Sequence, residues 1–242
     1  MVNLKYLITG TGRCGTVYLA RFLTSLGIPC GHESIFDWQG CRGAEKRLLG
    51  EEKVELSFVS QASYNGKDFK DLDDWIDLNH IEAESSYMSA PFLGEDILRD
   101  IPVIHVVRNP IKVVNSFCNY IDYFKSGVGT NSYEQFIYRH IPELKEDMNQ
   151  YDRACLYYVL WNEMIEKHDV FFHRIEDDKR SLLDFVGVSG NYFDDNSINT
   201  LKKVAKNKFA SPTQIENQDI QDRFVEIGIR YGYNMSLRMM VI

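Results

Sequence analysis

The 242-residue chain predicts an α/β protein of three layers, with a central, mostly parallel sheet covered by helices on both faces. Two observations carry that expectation. Short apolar runs of strand length alternate with longer segments of helical period along the chain. At two of them, residues 4–8 and 102–107, the run stops at a turn and opens straight into a helix. Composition agrees, since 44% hydrophobic and 26% charged residues suffice for one sizeable core, and residues 1–242 are expected to form a single domain.

The first strand, expected at residues 5–9, lies in the apolar run that ends at Gly10; the largely apolar residues 17–26 continue as a helix from Thr16. Strands at 29–33 and 81–85 enclose a variable insertion, residues 34–80, and a helix is expected at 92–99. Residues 103–107 are apolar and β-branched around His105, as a short buried strand requires. Pro110 suits a first helical turn, where its missing N–H is no loss, and the helical pattern 111–125 follows. Ser126-Gly127-Val128-Gly129-Thr130 reads as a flexible loop inside a second insertion, 126–150, which carries a helix at 132–139. A helix at 152–167, a strand at 169–174 and helices at 180–186, 197–206 and 219–231 complete the alternation, with no repeat or low-complexity tract. Ligands of an open parallel sheet gather at the carboxyl ends of its strands, which is where Gly10, Glu33, Ser86, Arg108 and Arg174 are expected.

Charge and cysteine usage narrow the partners. A net charge of -8 with no Lys/Arg run argues against a nucleic-acid or heparin-like surface. It leaves room for a local positive pocket built from Arg13, Arg108 and Lys206 or Lys208. The acidic excess in residues 68–84 lacks EF-hand spacing and reads as a solvated face, so no metal is expected. Five cysteines, Cys14, Cys30, Cys41, Cys118 and Cys155, are odd in number and lack paired metal spacing, which makes reduced thiols the default. No stretch of about 18 apolar residues is present, and a functional turn by residue 10 leaves no room for a leader or an anchor; no membrane is expected and a cytoplasmic location is.

That turn is Gly10-Thr11-Gly12-Arg13-Cys14-Gly15-Thr16-Val17-Tyr18. A strand, a glycine-rich turn and a helix N-terminus together aim backbone N–H groups at an anion. Gly10 and Gly15 fit the first six positions of G-x-x-x-x-G-K-[ST], but Thr16 stands where the lysine that reaches a triphosphate belongs, and Arg13 supplies a cation inside the turn instead. An anion other than ATP is expected; tight-turn chemistry alone is the bland reading. The second strand-to-helix junction, Arg108-Asn109-Pro110, places Ser116 two turns into its helix, so that a guanidinium fork and a hydroxyl approach one oxyanion. Such a pair suits a terminal phosphate monoester.

With these residues the chain resembles the sulfotransferases that use 3′-phosphoadenosine 5′-phosphosulfate. Arg13, Cys14, Gly15 and Thr16 match the family's first signature, a basic residue, a small residue, Gly and Thr after a strand; Arg108-Asn109-Pro110 with Ser116 eight residues beyond the Arg matches its second. A weaker likeness joins Val170-Phe171-Phe172-His173-Arg174-Ile175-Glu176-Asp177 and the following Leu182, Leu183, Phe185, Val186 and Gly187 to the family's late strand and helix end. The resemblance implies a P-loop NTPase-like sulfotransferase fold, a donor site of Gly12, Arg13, Cys14, Gly15, Thr16, Val17 and Tyr18 for the 5′-phosphosulfate, and Arg108 with Ser116 for the 3′-phosphate. Val17 departs from the pattern by lacking a second hydroxyl, Ile175 by replacing a tyrosine, and Glu84-Ser85-Ser86-Tyr87 by holding neither Lys nor His where animal members carry their base.

The implied reaction moves a sulfuryl group to a hydroxyl or amine of a small-molecule, glycan or lipid acceptor and leaves adenosine 3′,5′-bisphosphate, without metal. Arg13 and the loop amides would stabilise charge on the leaving oxygen. His32 and Glu33, ending the second strand beside the turn, are the candidate proton acceptors, Glu33 favoured; the bland reading makes them a hydrogen-bonded core histidine and a helix-start carboxylate. Ser85, Ser86 and Tyr87 line an acceptor site or cap a helix, and Tyr120, Tyr123 and Phe124 form a substrate platform or core. Two other classes stay open: a P-loop small-molecule kinase, and a non-catalytic nucleotide-binding member of the same fold.

Overall fold

A computed structural model describes residues 4–36, 41–49, 51, 81–188 and 215–235. Strands β1 (Tyr6–Gly10), β2 (Cys30–His32), β3 (Ala83–Ser85), β4 (Val103–Val107) and β5 (Val170–Arg174) form one sheet of order β2-β3-β1-β4-β5, parallel at every pairing. Helices α1 (Thr16–Ser25), α2 (Cys41–Leu49), α3 (Pro110–Asn119), α4 (Ser132–His140), α5 (Gln150–Ile165), α6 (Arg180–Phe185) and α7 (Gln218–Arg230) accompany it. The architecture is the three-layer α/β arrangement expected from the alternation of elements.

Strand periodicity divides the core in two. Leu7, Val103 and Val107 join a large cluster with α3, α5 and α7, whereas Ile8, Ile104 and Val106 join a smaller one with α1 and α6. α5 is buried nearly all round, and its Trp161, Tyr157 and Tyr158 are the largest fully buried side chains. The connection from β1 leads to β2 at one edge and that from β4 leads to β5 at the other. The crevice between the carboxyl ends of β1 and β4 is therefore the topological switch point, where ligands of such sheets bind.

Several boundaries differ from expectation. Residues 92–99 are not an α-helix: two 3₁₀ segments, Tyr87–Phe92 and Asp96–Leu98, occupy the region, with Gly94 between them. α3 stops at Asn119, short of residue 125, and Asp122 and Phe124 take left-handed backbone with φ of 56° and 63°. Buried Glu134 accepts the Phe124 N–H, and Arg153 donates to the Phe124 carbonyl at 2.9 Å, so tertiary partners replace the helical ladder. α2 lies where only an insertion was expected. The expected helix at 197–206, Lys206, Lys208 and most of the acidic segment fall outside the described residues. No described helix is long and apolar enough to cross a membrane.

Candidate active site

The turn after β1 is shaped by contact on both sides. A Cβ on Gly10 would overlap the Val106 carbonyl oxygen and lie 2.7 Å from Cys14 Sγ, so glycine lets β1 and β4 pair closely at the point where the turn begins. Arg13 and Gly15 have φ of 68° and 114°, a conformation glycine tolerates and arginine holds at some cost. Ile175 packs 2.8 Å from where a Gly15 Cβ would stand and closes the turn on that side. Gly12 donates its N–H to the Tyr157 hydroxyl at 2.8 Å. Cys14 is fully buried, burial pushes its thiol up to about 12, and it is a small wall residue without nucleophilic character. α1 begins with no side-chain cap and no acidic residue in its first turn. Its terminal N–H groups and dipole thus retain their attraction for an anion.

The second junction meets the first directly. Asn109 caps α3 by accepting the Lys112 N–H at 3.2 Å, and Pro110 opens the helix as expected. Arg108 Nη1 donates to the Arg13 carbonyl at 3.1 Å, and Arg13 Nε donates to Ser116 Oγ at 2.9 Å. The Arg13 guanidinium also lies 5.4 Å from the Tyr120 ring centre. Arg13, Arg108 and Ser116 therefore stand together. Arg13, expected on the 5′ side of the donor, thus bonds directly to Ser116, expected on the 3′ side.

His32 and Glu33 reach the same end of the sheet from the other side. His32 Nε2 lies 3.2 Å from Thr16 Oγ1 and 3.8 Å from Glu33 Oε1. Burial, aided by nearby Arg21, pushes the imidazole down to about 4, so at neutral pH the His32–Glu33 contact is not an ion pair. Glu33 takes left-handed backbone (φ 54°) as it leaves β2, and its side chain is 16% exposed.

Glu84, one strand inward, is fully buried. Its Oε1 accepts the N–H groups of Ser34 at 2.8 Å, Ile35 at 2.9 Å and Phe36 at 3.4 Å. Burial outweighs these bonds and raises its carboxyl to about 7. Gly31 leaves room for Oε2, which a Cβ there would overlap. The neighbouring serines are structural: Ser85 donates to the Thr16 carbonyl at 2.9 Å, and Ser86 caps the following 3₁₀ segment by accepting the Met88 N–H. Of the aromatic residues, Tyr18 pairs with Phe22 at 6.0 Å, Tyr123 packs on Phe117 at 5.8 Å, Phe124 is core and Tyr120 is exposed.

Sequence reasoning missed the groups that hold these parts. Tyr157 anchors the turn, and its neighbour Tyr158 donates to the Arg108 carbonyl at 3.0 Å. Adjacent tyrosines inside an apolar helix were the available signal, since a buried phenol needs a partner. Glu176 accepts the Asn109 N–H at 3.2 Å. Among the described residues no three His, Cys, Asp or Glu side chains gather as a metal site.

No family model matches the chain, and no curated protein matches it. Among solved structures it is similar to a sulfotransferase from Alicyclobacillus acidocaldarius, at 13% identity over 96% of this chain and 93% of that chain, with a TM-score of 0.46.

Proposed function

We propose that the chain is a sulfotransferase that takes a sulfuryl group from 3′-phosphoadenosine 5′-phosphosulfate and passes it to an acceptor hydroxyl or amine. One observation carries the reading: Arg13, Arg108 and Ser116, from two separate strand-to-helix junctions, are linked at the switch point beside the uncapped start of α1. The donor set fits a nucleotide with anionic groups at two positions. Arg108 with the Ser116 hydroxyl suits a phosphate monoester, and Arg13 with the N–H groups at the start of α1 suits a second anion. Thr16 in the lysine position fits a donor without a triphosphate.

In this reading Arg108 and Ser116 hold the 3′-phosphate, while Gly12, Cys14, Gly15, Thr16, Val17 and Tyr18 contribute backbone and wall to the 5′ side. The bound donor supplies a sulfuryl group on a good leaving group. Arg13, on the left-handed turn, offsets negative charge that grows on the leaving oxygen. Glu33 takes the acceptor proton; His32 is the weaker candidate, because its burial disfavours the imidazolium that proton uptake would create. The acceptor is a small molecule, glycan or lipid. A cytoplasmic location belongs to the same proposal and is supported by free thiols at Cys14, Cys30, Cys118 and Cys155.

Calorimetry against adenosine 3′,5′-bisphosphate, adenosine 5′-phosphate and ATP with magnesium tests the donor half. The bisphosphate is expected to bind tightest and without metal; equal affinity for the 5′-phosphate removes the 3′-phosphate assignment, and preference for ATP with magnesium favours a kinase. Transfer of labelled sulfate across sugars, phenols, lipids and amines tests catalysis, and bisphosphate binding without transfer to any acceptor class leaves the non-catalytic reading.

A further inference from the structure

The turn that carries Arg108 is bonded on both sides of its peptide. Tyr158 donates to the Arg108 carbonyl at 3.0 Å, and Glu176 Oε1 accepts the next N–H, that of Asn109, at 3.2 Å. The other oxygen of the same carboxylate accepts the Tyr233 hydroxyl at 2.7 Å. Tyr233 follows α7 and is itself held: Arg174 Nη1 donates to the Gly232 carbonyl at 3.0 Å, and the Arg174 guanidinium lies 5.5 Å from the Tyr233 ring centre. Asp177 pairs with the rest of that guanidinium through Oδ1 and Oδ2. One carboxylate thus ties the loop after β5, the segment after α7 and the turn before α3.

We infer that Glu176 is a positioning residue that fixes the Arg108 turn through the Asn109 N–H and couples it to the chain end of α7 through Tyr233. The inference rests on the donor site proposed above and extends it to a residue that touches no nucleotide. Its physical content is a conflict of sign. A carboxylate near an anion site repels the anion, so its removal by charge alone tightens binding. A carboxylate that orders the arginine fork assists the anion indirectly, so its removal weakens binding.

Four proteins test this: wild type, Glu176→Ala, Glu176→Gln and Tyr233→Phe. In the nucleotide-free proteins, amide hydrogen exchange is read over residues 108–112 and 231–235. Glu176→Ala is expected to speed exchange in both segments by about tenfold or more, as loss of a charge-assisted hydrogen bond gives. Glu176→Gln keeps an acceptor for the Asn109 N–H and is expected to restore slow exchange at residues 108–112. Tyr233→Phe is expected to act chiefly on 231–235. Unchanged exchange at 108–112 in Glu176→Ala overturns the inference whatever the nucleotide data show.

The second reading is the affinity for adenosine 3′,5′-bisphosphate relative to adenosine 5′-phosphate. Glu176→Ala is expected to lose about tenfold in bisphosphate affinity with little change for the 5′-phosphate, and Glu176→Gln, which keeps the acceptor and removes the charge, is expected to bind at least as tightly as wild type. Tighter bisphosphate binding by Glu176→Ala, or equal losses for both nucleotides, overturns positioning of the Arg108 fork. A wild type without preference for the bisphosphate refutes the donor reading instead, and the exchange measurement then decides the role of Glu176 by itself.

Discussion

Arg108, Glu33 and Glu84 are ionisable groups in three different surroundings, and each surrounding implies a separate measurement. Arg108 is half-buried, and its Nη1 bond to the Arg13 carbonyl leaves further donors for an anion. Arg108→Ala is expected to weaken adenosine 3′,5′-bisphosphate binding by about 1.5–3 kcal/mol in calorimetry, with a smaller change for adenosine 5′-phosphate. Glu33 retains some exposure, whereas Glu84 is locked to three amides of the following turn. Glu33→Gln is therefore expected to cut sulfate transfer by about 100-fold with nucleotide binding intact, and His32→Asn by less. Normal turnover in Glu33→Gln would move the base elsewhere. Glu84 titrates with the fold: its carboxyl rises from 4.5 to about 7, so the folded chain holds this proton more tightly. Its contribution is full below pH 4.5 and is lost as pH rises through about 7. Relative to Glu84→Gln, which does not titrate, the wild type is expected to lose about 3 kcal/mol across that window in urea unfolding. A constant difference between the two proteins would show that the buried carboxyl does not retain its proton.

Each element of the site depends on how closely its neighbours approach. β1 and β4 are in register from Leu7↔Val103 to Gly10↔Val106, and at the last pair the Gly10 α-carbon faces the Val106 carbonyl with no room for a methyl group. Gly10→Ala is expected to cost about 3 kcal/mol of stability, near the upper end for overpacking. Gly27→Ala is a useful contrast, because nothing lies within 4 Å of its added Cβ and only its φ of 85° opposes the change. It is expected to cost about 1 kcal/mol. Similar costs in chemical denaturation would mean that the β1–β4 contact yields easily. β1 and β4 were legible in the sequence because each is an apolar run that ends at a turn. The helix ends were less so. The pattern of residues 111–125 is amphipathic throughout, yet Glu134 and Arg153, distant in sequence, draw the Phe124 backbone out of the helix.

Over the whole molecule, buried imidazoles make the fold sensitive to acid. Burial pushes His32, His105 and His173 from 6.5 down to about 4, each sitting in a different part of the sheet. A depressed histidine contributes stability that is present above pH 6.5 and lost as pH falls towards 4, because the unfolded chain takes up the proton first. Glu84 acts in the opposite direction over most of the same range, but it is one group against three. The melting temperature is expected to fall between about pH 7 and about pH 4.5, and more steeply in Glu84→Gln, where the opposing group is gone. A melting temperature that holds or rises on acidification in calorimetry would place these histidines in contact with water.

Properties that depend on neighbours along the chain are determined by the sequence itself: the alternation of strands and helices, the turn with Arg13 and Gly15, and the Arg108–Ser116 spacing. Each is a local pattern, set by backbone sterics and side-chain periodicity within a few residues. The sheet order, the switch point and the meeting of Arg13 with Ser116, 103 positions apart, arise from the pairing of β1 with β4 and have no local signature. The same holds for Tyr157 under Gly12, for Glu84 beneath its turn and for the exposed Glu176 beside its own, whose partners lie 145, 48 to 50 and 67 residues away. A polar atom on a buried element must find a hydrogen-bond partner, and which one it finds is decided by the packing that brings distant segments together.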